Sequence, residues 1–137
     1  MRANSVLETA LYVDDLPAAE EFYTQVLGLE LYSREEGRHV FFRCGNAMLL
    51  LFNPGKTRQA TGLVPTHGAD GPGHVAFRLN PSDIEAWREH LGQHSVPIET
   101  EVQWPKGGLS IYFRDPAGNS VELATPQLWG LATETGR

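Results

Sequence analysis

An internal repeat constrains the fold of this chain more than any other feature of the sequence. Patterns of apolar residues, caps and turns indicate a strand, a helix and three strands, and then the same order again. Residues 8–13 align with 74–79 at an offset of 66 (74 − 8), and residues 50–54 align with 122–126 at an offset of 72 (122 − 50). The two offsets differ because loops of different length connect the strands in the two copies. The repeat therefore predicts a duplicated βαβββ module.

The first copy, module one, extends over residues 5–53. It opens with an alternating strand over residues 5–13, and a helix follows over 15–27, between an acidic N-cap candidate and Gly28. Three strand-like runs complete module one: 30–33, 39–44 and 47–52. The second copy, module two, extends over residues 74–125. It contains a strand over 74–79, a helix over 82–91 that starts with a capping-box pattern, and strands over 98–104, 109–115 and 120–124.

Residues 54–73 form a linker rich in Gly, Pro and Thr, which the sequence predicts to be a structureless loop. A tail over residues 126–137 carries Leu128, Trp129 and Leu131, which we expect to dock on the rest of the protein. A ferredoxin-like fold also has two halves, but it does not need three strands in each. We therefore predict one α+β domain over residues 1–137, built from two βαβββ modules.

Glu122 is the residue that most needs an explanation. The stretch 111–124 indicates two strands around a turn, with Gly118 and Asn119 at positions that tolerate positive φ. If Phe113 lies opposite Val121, then Ser110, Tyr112 and Glu122 share the other sheet face. A carboxylate within an apolar strand is costly to bury unless something binds it.

Charge and composition exclude several classes of function. The net charge is −6 and the 11 basic residues are scattered, which argues against a nucleic-acid partner. The sequence has no signal-like segment and no apolar run long enough for a membrane span, so we expect a cytoplasmic protein. Its single cysteine, Cys44, cannot form an internal disulfide. His90 and His94 flank the end of a predicted helix, where the dipole favours cations, and the sequence indicates no site there.

Three stretches carry a resemblance to a known family: residues 12–29, 73–77 and 113–123. On these, the chain resembles the vicinal oxygen chelate superfamily, which holds glyoxalase I, bleomycin and fosfomycin resistance proteins, and extradiol dioxygenases. The resemblance implies two βαβββ modules, related by a pseudo-twofold axis, whose sheets curve around a cavity. It also implies a homodimer in many members, sometimes with the site shared between chains.

The family's metal ligands project from the first and last strand of each module. Those positions fall on Glu8, Leu50, His74 and Glu122. Because Leu50 cannot bind a metal, the resemblance implies a set of three ligands. One imidazole and two carboxylates would leave positions open for a chelated substrate and would suit Mn²⁺, Fe²⁺, Co²⁺, Zn²⁺ or Ni²⁺. Glu8 or Glu122 could also act as a general base.

Two functions remain open from the sequence. The first is a metal-dependent lyase, isomerase or dioxygenase of the glyoxalase and dioxygenase type, acting on a small oxygenated molecule. The second is a metal-independent protein that sequesters a small molecule such as an antibiotic. In either case the residues predicted to line the substrate cavity are Tyr12, Leu50, Arg78, Trp104 and Tyr112.

Overall fold

The computed structural model describes residues 1–133 and confirms an α+β fold with two βαβββ modules. The last four residues of the predicted tail lie outside this range. In the first module the elements are β1 (Glu8–Tyr12), α1 (Leu16–Gln25), β2 (Glu30–Glu35), β3 (His39–Cys44) and β4 (Ala47–Phe52). A short helix α2 (Pro54–Thr57) follows. The second module contains β5 (His74–Arg78), α3 (Ile84–Gln93), β6 (Thr100–Gln103), β7 (Leu109–Arg114) and β8 (Ser120–Ala124).

Both sheets have the same topology. Their strand orders are β1-β4-β3-β2 and β5-β8-β7-β6, with the first pair parallel and the other pairs antiparallel. Ala10 pairs with Leu50 in one sheet, and Ala76 pairs with Glu122 in the other. Each alanine lies two residues after the first residue of its strand. Leu50 and Glu122 therefore hold equivalent positions, as the sequence repeat predicted.

Each module buries one face of its sheet. In the first module the core includes Leu11, Val40, Phe42, Leu49 and Leu51, and the ring of Tyr23 from α1 lies 5.9 Å from that of Phe42. In the second module the core includes Leu91 of α3 together with Ile111, Phe113, Val121 and Leu123. These are the alternate residues of each strand, so the remaining residues of the same strands form the opposite face.

The helix caps agree only partly with the sequence patterns. Asp15 caps α1 as expected, because its side chain accepts a hydrogen bond from the Ala18 amide at 3.0 Å. The predicted capping box of α3 is wrong. Asn80 accepts the amide of Ser82 at 3.1 Å and caps a 3₁₀ turn, Pro81–Asp83, which leads into α3.

By its internal contacts, the chain divides into two compact units. The first contains residues 1–73 and 116–119, and the second contains 74–115 and the residues from 120 onward. Within the first unit, the linker is more ordered than predicted, because it begins with α2, capped by Asn53. Arg58 and Asp70 then form an ion pair at 2.8 Å across the linker.

The turn Pro116–Asn119 is held through a buried asparagine. The Asn119 side chain accepts from the Gly73 amide at 2.7 Å and donates to the Tyr12 carbonyl at 3.1 Å. Gly118 has the expected positive φ of 88°, but the φ of Asn119 is not positive. Its role is hydrogen bonding rather than backbone freedom, and that differs from the prediction.

The tail also departs from the prediction. It forms a 3₁₀ turn, Pro126–Trp129, in which Leu128 is half-buried. Trp129 and Leu131 remain 77% and 54% exposed, so the expected docking of these two side chains is wrong for the single chain. Within residues 1–133, no helix combines the length and apolar character that crossing a membrane requires. A cytoplasmic location stays a prediction.

Candidate metal and substrate site

The face opposite the core of the second sheet carries most of the predicted site. Tyr112 pairs with Glu122 and His74 pairs with Ser120 across neighbouring strands. The predicted register of Phe113 against Val121 is confirmed, so Ser110, Tyr112 and Glu122 do share a face. Glu122 is only 7% exposed, which makes it a buried carboxylate within an apolar strand.

His74 reaches Glu122 from the first position of β5. Its Nδ1 lies 3.0 Å from the Ser120 carbonyl oxygen, and its Nε2 lies 3.1 Å from Glu122 Oε2. A carbonyl oxygen can only accept, so Nδ1 is the ring's donor to Ser120. In the neutral ring Nε2 therefore carries the lone pair and points it at the carboxylate.

Two acceptors at this distance need a proton or a cation between them. A proton carried by His74 Nε2 or by Glu122, or a shared metal ion, satisfies the pair. Ligand atoms about 2.0–2.2 Å from one Zn²⁺ ion lie roughly 3 Å apart when they are neighbours in its coordination sphere. The measured separation of 3.1 Å therefore fits two ligands of one divalent cation. The hydrogen bond from Nδ1 to a backbone carbonyl is also what commonly orients a metal-binding histidine.

A chain of hydrogen bonds fixes the other oxygen of Glu122. The Ser110 hydroxyl, which is fully buried, donates to Glu122 Oε1 at 2.5 Å. Trp104 Nε1 donates to the same hydroxyl oxygen at 2.9 Å. The sequence placed Ser110 on this face but did not identify it as a partner of Glu122. The alternation of side chains along β7 indicates that Ser110 faces the same side as Glu122. It does not indicate the rotamer that directs the Ser110 hydroxyl at the carboxylate.

Tyr112 adds a phenol beside the same carboxylate. Burial is the main reason that the pKa of Tyr112 is raised above its ordinary value of 10.0, and a hydrogen bond to Glu122 contributes next. The phenol therefore stays protonated and acts as a donor at neutral pH. Its ring also lies roughly parallel to that of His74, with centroids 6.4 Å apart. The structure thus brings the side chains of His74, Trp104, Tyr112 and Glu122 together on one sheet face, and their role as a site stays a prediction.

Glu8 occupies the position in β1 that His74 occupies in β5. It is exposed, and its register partner on β4 is Met48. Among residues 1–133, no group of three or more His, Cys, Asp and Glu side chains is arranged to hold a metal ion. The pair of His74 and Glu122 is therefore present in the chain, whereas the three-ligand set with Glu8 stays a prediction.

The other predicted cavity residues have separate partners. The Tyr12 hydroxyl lies 2.6 Å from His67 Nδ1 in the linker, and Leu50 is 9% exposed in the first sheet. Arg78 shares its strand face with His74, but its guanidinium donates to the Ala132 carbonyl at 3.1 Å. Trp104 also lines a recess of about 660 Å³ between the 3₁₀ turn before α3 and the β6–β7 turn.

The residues predicted from the sequence do not include an aromatic cluster that the structure shows in the first unit. His39 stacks on Phe41 with centroids 3.9 Å apart, and Phe41 meets the ring of Phe52 edge-on at 5.3 Å. His67 approaches Phe52 from the linker at 4.8 Å. Phe41 and Phe52 alternate with core residues, so they lie on the same sheet face as Leu50. Only the contribution of the linker could not be derived from strand periodicity.

The duplicated βαβββ fold is that of the vicinal oxygen chelate class. The chain belongs to the Glyoxalase/Bleomycin resistance protein/Dioxygenase superfamily, whose family profile matches residues 5–123.

The chain is similar to several members of this superfamily. A crystal structure of lactoylglutathione lyase from Agrobacterium tumefaciens is 43% identical, with a TM-score of 0.92, and the match covers 96% of this chain and 100% of that one. Glutathione transferase FosA from Serratia marcescens is 30% identical over 87% of this chain and 79% of its own length. Metallothiol transferase FosB from Staphylococcus haemolyticus is 28% identical over 85% of this chain and 79% of its own length.

Proposed function

We propose that this protein is a divalent-metal-dependent enzyme of the glyoxalase type, acting on a small oxygenated molecule. The observation that carries the proposal is the His74–Glu122 pair, in which Nε2 faces Oε2 at 3.1 Å. Burial of the carboxylate adds to it, because a buried anion requires a compensating charge. A cation held by both side chains supplies that charge.

Mn²⁺, Fe²⁺, Co²⁺, Zn²⁺ and Ni²⁺ all suit a site made of one imidazole and carboxylates. A bound ion of this kind would orient vicinal oxygens of a substrate and stabilise negative charge that develops on them. The side chains of Ser110 and Tyr112 hold Glu122 in place, so this carboxylate suits a fixed ligand better than a mobile base.

Glu8 is the carboxylate with freedom to move a proton. It is exposed, and no hydrogen bond or ion pair of its side chain occurs among residues 1–133. We propose that Glu8 completes the site, from the same chain or from a partner chain, as third ligand or as general base. In a glyoxalase-type isomerisation the base would remove a proton from the carbon that carries a hydroxyl and deliver it to the neighbouring carbonyl carbon, while the hydroxyl proton passes to the oxygen of that neighbour.

The names of the relatives suggest the first substrates to test. Lactoylglutathione lyase and glutathione transferase both act with a thiol tripeptide. The lyase relative is the more similar of the two, so we propose S-lactoylglutathione, in equilibrium with glutathione and methylglyoxal, as the leading candidate. Thiol transfer to fosfomycin is the second reaction to assay, since the relatives FosA and FosB are named as a glutathione transferase and a metallothiol transferase.

Metal uptake is the direct test of this proposal. Protein purified without a tag or chelator should bind one equivalent of Mn²⁺, measured by elemental analysis and by titration of metal-free protein. The His74→Ala variant should lose this uptake, whereas His67→Gln, which changes a histidine of the linker, should retain it. Uptake that survives in His74→Ala would contradict the proposed site.

Glu8→Gln separates the two roles of Glu8. If Glu8 is a ligand, the variant should bind Mn²⁺ more weakly. If it is the base, Mn²⁺ affinity should be unchanged, while turnover of S-lactoylglutathione should fall by about 10²–10⁴-fold. If neither quantity changes, Glu8 has no part in the site.

A metal-free binding protein is the second candidate function. A proton on His74 Nε2 would satisfy Glu122 without a metal, and Leu50 removes the fourth ligand position. The aromatic cluster of His39, Phe41, Phe52 and His67 would suit the organic part of a ligand. This candidate becomes the better one if the protein takes up no divalent metal from solution.

A further inference from the structure

Two imidazoles lie together at the end of α3, away from the residues of the proposed site. His90 lies in the last turn of α3, and His94, four residues later, is the residue that caps the C-terminus of this helix. Their ring centroids are 4.3 Å apart, with planes inclined at 46°. The sequence indicated only that the helix dipole accommodates them, and the closeness of the rings goes beyond that interpretation.

The orientation of His94 leaves a metal-binding nitrogen. Its Nδ1 lies 3.0 Å from the His90 carbonyl oxygen, so Nδ1 carries the hydrogen and donates it. In the neutral ring, Nε2 then holds the lone pair. This arrangement matches that of His74, whose Nδ1 also donates to a backbone carbonyl, and it fixes the ring as a ligand that is already oriented.

The charges around the pair favour a cation. The carbonyl end of α3 carries partial negative charge. Arg88, the nearest basic residue along the helix, directs its guanidinium at Glu85 and at Glu101 of β6. His94 is exposed, so a hydrated ion can reach it.

We propose that His90 and His94 form a second metal site, which takes a divalent cation of the Cu²⁺, Ni²⁺ or Zn²⁺ class. Two nitrogens about 2.0–2.1 Å from one ion lie roughly 3 Å apart, a separation that rings 4.3 Å apart can present. Imidazole ligands without a carboxylate select these ions over Mn²⁺ or Mg²⁺. The site is independent of the proposed function, because it shares no residue with the His74–Glu122 pair.

Trp87 provides an internal reporter for this site. Its ring meets that of His90 edge-on, with centroids 5.4 Å apart. Cu²⁺ bound by His90 and His94 should therefore quench the fluorescence of Trp87. Titration of metal-free His74→Ala protein, which lacks the other proposed site, with Cu²⁺ alone should show a quenching step of one equivalent. Adding Trp87→Phe to this protein should remove most of that step while the ion still binds.

The His94→Gln variant should lose both the quenching step and one equivalent of Cu²⁺ by elemental analysis, whereas His74→Ala should keep the quenching step. The same His94→Gln protein should bind Mn²⁺ as the unaltered chain does, so failure of one site is distinguishable from failure of the other. If His94→Gln keeps the Cu²⁺ equivalent and the quenching, the ion binds elsewhere and the proposal is wrong.

Discussion

At the scale of single residues, an argument from burial identified the central carboxylate of this protein. Glu122 stands out in the sequence because an anion inside an apolar strand needs a partner, and the structure supplies His74 at 3.1 Å. The same argument could not find Ser110. A serine in a strand is unremarkable, and its hydrogen bond to Glu122 depends on a rotamer and on Trp104, which lies beyond a turn.

His39 gives a prediction about pH. Burial lowers the pKa of His39 below its ordinary value of 6.5, the charge of Arg38 lowers it further, and Glu35 opposes both. In the unfolded chain the imidazole takes up a proton near its ordinary pKa, but in the folded protein it does so only at lower pH. The contribution to stability is therefore present above pH 6.5 and is lost as the pH falls through the lower, folded value.

The free energy of unfolding, measured by urea denaturation, should accordingly decrease when the pH is lowered below 6.5. Replacement His39→Phe keeps a ring to stack on Phe41 and removes the titrating group. The variant should show a shallower decrease over the same range. An equally steep decrease would mean that other groups cause the pH dependence.

At the scale of elements, the strands were predicted better than their connections. The bounds of β3, β4 and β8 match the sequence patterns, because alternation and flanking turns mark them clearly. The helix α2 was missed, since Pro54, Gly55 and Thr57 are poor helix formers. Asn53 followed by Pro54 was a usable signal of a helix start, and the cap outweighs low propensity over a single turn.

The turn between β7 and β8 yields the prediction at this scale. Asn119→Ala removes the acceptor for the Gly73 amide and the donor to the Tyr12 carbonyl. Both hydrogen bonds are part-buried and Gly73 is exposed, so each lost bond should cost about 0.5–1.5 kcal/mol, and the unfolding free energy should fall by about 1–3 kcal/mol.

Asn119→Asp is a second test, because it keeps an acceptor for the Gly73 amide but replaces the donor to Tyr12 with an oxygen that faces the Tyr12 carbonyl. Asn119 is 1% exposed, so the buried carboxylate adds a desolvation cost, and this variant should also be less stable than the unaltered protein at neutral pH, as measured by urea denaturation. Equal stability of all three proteins would show that the two hydrogen bonds do not hold this turn.

At the scale of the whole molecule, we predict a homodimer. The outer edges of both sheets, at β1, β2, β5 and β6, have no strand partner among residues 1–133. Val6 and Leu7, just before β1, are 72% and 70% exposed, which is unusual for apolar residues beside a sheet edge. Sedimentation at micromolar concentration should give about twice the chain mass of 15.2 kDa. A species of the single-chain mass would contradict the prediction.

The equivalence of Leu50 and Glu122 has an evolutionary consequence. Once an ancestral module has been duplicated, every position exists twice, and one copy can change while the other preserves its chemistry. In the second copy this position is Glu122, whose carboxyl group contacts the side chains of Ser110, His74 and Tyr112. In the first copy it holds an aliphatic side chain beside Phe41, its partner across β3 and β4. The first module can therefore change its shape, and with it the ligand that it prefers, while Glu122 and its partners in the second module stay unchanged.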